Sequence, residues 1–141
     1  MSKGSNHKWG RYFLLVTVLT TAIIGGAFVF APQVIPGIFS QDYVEPSARF
    51  YLRFLGAAMF GYSILNGFGL NYYDDFQLRQ IICKANVTSL SIALLVSING
   101  LATGLLSNFA WVFVAEHTLF LAGFMVLLRT TRIKNSFSEK P

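Results

Sequence analysis

Four long apolar stretches, 12–30, 49–70, 82–106 and 110–128, take up most of this 141-residue chain. A helix of about 20 residues, rising 1.5 Å per residue, covers a hydrocarbon core of about 30 Å. Such a core has no water for backbone N–H and C=O groups, so each stretch must close its own hydrogen bonds as a helix. The expected fold is all-α: one transmembrane domain over residues 1–141, a four-helix bundle with short loops. Composition agrees. Charged residues make up 12% of the chain, against roughly a quarter in soluble domains.

The first stretch follows Lys3, Lys8 and Arg11, an order that a secretory leader would also show. It is longer than a leader's apolar core, and no small-x-small site precedes Pro32, so a first span is the better reading. Thr17, Thr21 and Gly25 repeat every four residues and define a small-residue face. Pro32, Pro36 and Pro46 keep the next connection irregular. Its apolar residues Val34, Ile35, Ile38 and Phe39 suit the membrane interface. Asp42 and Glu45 are placed to cap the second helix.

That second helix carries Arg49 and Arg53 one turn apart, then the small residues Gly56, Ala57, Gly61 and Ser63, with Asn66 near its far end. A polar turn over 71–79 brings Tyr72 and Tyr73 to interface depth. Its Asp74-Asp75 pair is too poor in oxygens for a metal ion and suits a helix N-cap. In the third stretch Ser89, Ala93, Ser97, Gly100 and Gly104 fall on one face, and Gly100–Gly104 is a GxxxG match. Asn86-Val87-Thr88 fits a glycosylation sequon, but its place inside a span excludes modification. Ser107-Asn108 makes a tight connection, so the last two spans form an antiparallel hairpin.

Orientation follows from the basic residues. Four spans put Lys3, Lys8, Arg11, Arg79, Lys84, Arg129, Arg132, Lys134 and Lys140 on one side, and only Arg49 and Arg53 on the other. Positive charge collects on the cytoplasmic side, so both termini are expected there, in a multi-pass cell-membrane protein. The net charge of +5 then points to anionic lipid at the cytoplasmic face and not to nucleic acid.

Glu116 and His117 stand inside the last span, where ionisable groups are expensive and need a partner. Counting down from the outer ends of the helices, Arg53 lies roughly 9 Å deep, Glu116 roughly 10 Å and Asn99 roughly 12 Å. An Arg53–Glu116 ion pair supported by Asn99 or Thr103 is the expectation. It serves either as a structural lock or as the polar floor of an outer-leaflet pocket for a lipid- or quinone-type amphiphile. His117, about 100° round the helix from Glu116, is expected to point elsewhere. The helix-packing residues are expected to be Gly56, Gly61, Ser97, Gly100 and Gly104.

The chain contains no HExxH, CxxC, phosphate-cradling loop or nucleophile elbow. His7 and His117 are too few for a metal site. No catalytic residue, metal or cofactor is assigned. Cys83, at the cytoplasmic edge, is open to acylation but reads first as a plain buried thiol.

Residues 49–128, with Arg53 opening the sequence RFLGAAMFG and a tight final hairpin, resemble the small four-span bacterial membrane proteins of the DoxX-like type. The resemblance covers spans two to four, implies a four-helix bundle and carries over no catalytic residue. Three functions are therefore in view. The first is a non-enzymatic accessory or assembly subunit of a membrane complex, partnered by another protein or by its own copies. The second is the amphiphile carrier, and the third an isomerase-like membrane enzyme using Glu116.

Overall fold

The computed structural model describes residues 3–33, 46–104 and 110–136, with side chains described over 8–33, 49–104 and 110–130. Among these residues there are four α-helices and no strand: α1 Lys3–Phe30, α2 Pro46–Asn71, α3 Phe76–Ala102 and α4 Trp111–Ser136. Three contain stretches long and apolar enough to cross a membrane: Lys8–Phe30, Phe76–Ala102 and Trp111–Thr130. α2 is of similar length at 26 residues, but Arg53, Asn66 and several glycines dilute its apolar character.

Local chemistry sets the helix ends. Asp75 caps α3, its Oδ1 accepting from the Leu78 N–H at 3.0 Å, which satisfies one of the free donors of a first turn. α3 therefore begins well before the expected 82. It stops at Ala102, short of 106, because Gly104 takes a left-handed φ of 71° that ends a helix. Residues 34–45, with the expected Asp42 and Glu45 cap and the interfacial loop, lie outside the described residues, as does the Ser107-Asn108 connection.

α1 lies along α2, and α3 along α4; α2 meets α3, and α1 meets α4, over shorter stretches. The α1–α2 crossing is made by two glycines. A Cβ on Gly56 would stand 2.7 Å from the Gly25 carbonyl oxygen, and one on Gly25 would stand 3.0 Å from that of Gly56. Lipid tails are as apolar as Leu, so close backbone packing, and not escape from water, holds such helices together. Beside the crossing, Ser63 Oγ donates to the Val18 carbonyl at 2.9 Å, and Thr17 on the same face of α1 is buried.

The four helices come together at the end that carries the 72–75 turn. There Leu14, Tyr73, Cys83, Phe124 and Leu127 form the core, flanked by Phe13 and Val87. Phe13 packs edge-on against Phe124 at a centroid distance of 4.9 Å and stacks on Trp9 at 5.4 Å. Its ring fills the space over Gly123, where any Cβ would collide with it. Gly10 likewise yields its side-chain volume to Tyr73 and Leu127. The start of α1 and the latter part of α4 thus stand at the same end as the turn.

Candidate functional site

Polar side chains inside an apolar bundle must find partners, and most hydroxyls here find them in their own helix. Thr21, Ser91, Ser97 and Thr118 each donate to the carbonyl four residues back, the usual solution for spans. Apart from Ser63, the side chains that hydrogen-bond between elements gather towards the turn end.

Asn66 on α2 and Asn86 on α3 are 0% and 2% exposed. They exchange amide bonds: Asn86 Nδ2 donates to Asn66 Oδ1 at 2.7 Å, and Asn66 Nδ2 returns a longer bond at 3.4 Å. Asn86 Nδ2 also donates to the Ile82 carbonyl at 2.9 Å. One turn away, Tyr62 Oη donates to the Ala85 carbonyl at 3.4 Å. Arg79 is buried and donates through Nη1 to the Tyr73 carbonyl at 2.5 Å. Its guanidinium lies 4.8 Å from the centre of the Tyr73 ring, with that of Arg11 at 5.7 Å. Burial pushes the Tyr73 phenol above its ordinary value, and the two arginines oppose this in part.

The expected outer cluster is not assembled. Arg53 is exposed on α2, and Glu116 Oε2 meets His117 Nδ1 at 3.4 Å instead. His117 and Glu116 therefore do converge, since flexible side chains bridge the 100° between neighbouring positions. His117 Nδ1 also lies 2.5 Å from the Phe113 carbonyl oxygen. Asn99 is exposed, and Thr103 Oγ1 donates to the Asn99 carbonyl at 2.8 Å, capping the end of α3. The cause is geometric. Arg53 and Glu116 agree in depth, but α2 faces α1 and α4 faces α3, so equal depth does not bring them together.

The expected packing residues divide. Gly56 is buried in the α1–α2 crossing and Gly100 is buried on α3, with Ser97 half-buried beside it. Gly104 stands beyond the helix and ends α3, and a Cβ there would meet nothing within 4 Å among the described residues. Gly61 faces outward, and a Cβ there would meet nothing within 4 Å among the described residues.

Sequence reasoning missed the contacts that Asn66, Asn86, Arg79 and Tyr73 make at this end. The signal was available: Asn66 lies nine residues before Asp75 and Asn86 eleven after it, so a tight antiparallel turn brings them level. Asp75 was legible as a cap, and Cys83 as a buried thiol at 0% exposure. Among the described residues no three His, Cys, Asp or Glu side chains are grouped to hold a metal ion. Compared with protein families, curated proteins and solved structures, the chain matches none of them.

Proposed function

We propose that this protein is a non-enzymatic subunit of a membrane complex, a four-span bundle with both termini cytoplasmic, and that it docks through the outward face of α2. The observation that carries the reading is Arg53. It is exposed, seven residues into a membrane-length helix, with no hydrogen-bond or ion-pair partner among the described residues. A charge at that depth is costly in lipid and is normally met by protein or water.

The surrounding surface supports a protein. Phe50, Phe54, Ala57, Gly61, Ile64 and Phe68 are all exposed and recur every three or four residues, which lines them along one side of α2. Ala57 and Gly61 form a small-xxx-small pair at its middle, where a second helix can approach closely. The partner's helix would carry a carboxylate at the level of Arg53. The nine-to-two distribution of basic residues supports the orientation, and so does the gathering of both outer helix ends beside the 72–75 turn.

A photo-crosslinking residue at Ala57, in membranes from the native source, is expected to give one discrete adduct with another integral membrane protein. The same residue at Leu119, exposed on α4, should give only lipid adducts. Equal labelling from both positions would sink the docking face. The carrier reading drew on a pocket floored by Arg53 and Glu116, and their separation leaves it without that support.

A further inference from the structure

We propose that the groove between the start of α1 and the end of α2 binds the headgroup of an anionic phospholipid. The groove has a volume of about 280 Å³ and is lined by Lys8, Arg11, Tyr12, Leu15 and Leu70. Lys8 and Arg11 are three residues apart, so they project from one side of α1. Together they offer a point charge and a planar fork of donors, the pair of groups that suits a phosphodiester. Leu15 lies one turn further along the helix than Arg11, and Leu70 faces it from α2. Cations at the mouth with apolar walls beyond them reproduce the order of a phospholipid, headgroup first and acyl chain next.

The position along the helix is right for this occupant. The uncharged stretch of α1 begins at Tyr12, directly after Arg11, so the groove opens at headgroup depth. Trp9 and Tyr12 are 44% and 67% exposed there, as interfacial aromatics are. The internal competitor for Arg11 is weak. Asp74 Oδ2 stands 3.9 Å from Arg11 Nη2, with the two side chains 78% and 45% exposed, and such a pair yields readily to a phosphate. The Tyr73 ring beside the Arg11 guanidinium orients that group through its π face and leaves its N–H donors available. This inference rests on Lys8 and Arg11 of α1 and does not depend on the docking face of α2.

Trp9 makes the test direct. The full chain with Trp111→Phe, reconstituted in phosphatidylcholine vesicles, is doped with brominated phosphatidylglycerol or with the same fraction of brominated phosphatidylcholine. Trp9 quenching is expected to be several-fold stronger with the glycerol lipid. Lys8→Gln with Arg11→Gln should abolish that preference, since each cation near the surface is worth about fivefold in affinity for anionic lipid. Lys84→Gln with Arg129→Gln removes the same charge from exposed positions outside the groove and should leave the preference nearly intact. Asp74→Asn should raise it. Equal losses in the two double variants would mean diffuse attraction to a basic rim and overturn the site. Abolition of the preference by millimolar inorganic phosphate would assign the groove to a small free anion and overturn it as well. If circular dichroism shows the groove variant unfolded, Asp74→Asn decides alone: a rise supports the site and no change overturns it.

Discussion

Asn66 and Asn86 carry the strongest statement available at the residue scale. A side-chain amide in lipid without a partner has nowhere to turn, and each of these satisfies the other across two helices. Replacing either by Ala strands a buried amide, which costs about 1–3 kcal/mol. Replacing both removes the orphan as well as the bond, so the losses should fall short of additive by about 0.5–1.7 kcal/mol. A double-mutant cycle by steric-trapping unfolding in bicelles measures this, and strictly additive losses would argue that the two amides do not interact. Tyr73 gives a pH test. Its phenol is raised by burial, so the stability tied to its neutral form is complete below the ordinary value of 10 and declines as pH climbs through the higher folded value. Absorbance at 295 nm, differenced against Tyr73→Phe, should show one late-titrating tyrosine; ionisation at the ordinary value would contradict its burial.

At the scale of elements the helices differ in what their glycines do. Gly56 faces the Gly25 carbonyl, a backbone atom that cannot rotate away, whereas Gly61 faces open space. Gly56→Val should therefore cost about 1–3 kcal/mol, while Gly61→Val leaves the isolated protein within about 0.5 kcal/mol. Thermal unfolding of the two variants in the same detergent separates them, and equal destabilisation would remove the distinction between inward and outward faces. Much at this scale was legible beforehand. The Asp75 cap, the Gly25 face of α1 and the inward Gly56 follow from spacing along a single helix. The Arg53–Glu116 pairing failed because depth along a helix is readable from residue counts, but rotation about the axis is not. Gly104 shows the same limit. GxxxG spacing assumes the helix continues, and at Gly104 the backbone has already turned out of it.

For the whole molecule, the two pairs of helices are joined by a core and polar contacts at the turn end. The opposite end presents large exposed apolar side chains, Phe50 and Phe54 on α2, Leu95 on α3 and Trp111 on α4. Orientation is open to labelling with a membrane-impermeant maleimide, because the sole cysteine, Cys83, is fully buried and should stay silent. A cysteine introduced at Tyr72 is expected to react only from the cytoplasmic side and one at Phe50 only from outside; the reverse pattern would invert the proposed topology. The most direct test of the subunit reading is native mass spectrometry of the protein released gently from its own membrane. A stoichiometric complex with a second integral membrane protein, lost with Arg53→Gln while the 15.7 kDa chain remains folded, is the predicted result. A 15.7 kDa monomer carrying only lipid, identical for the parent and Arg53→Gln, would contradict it.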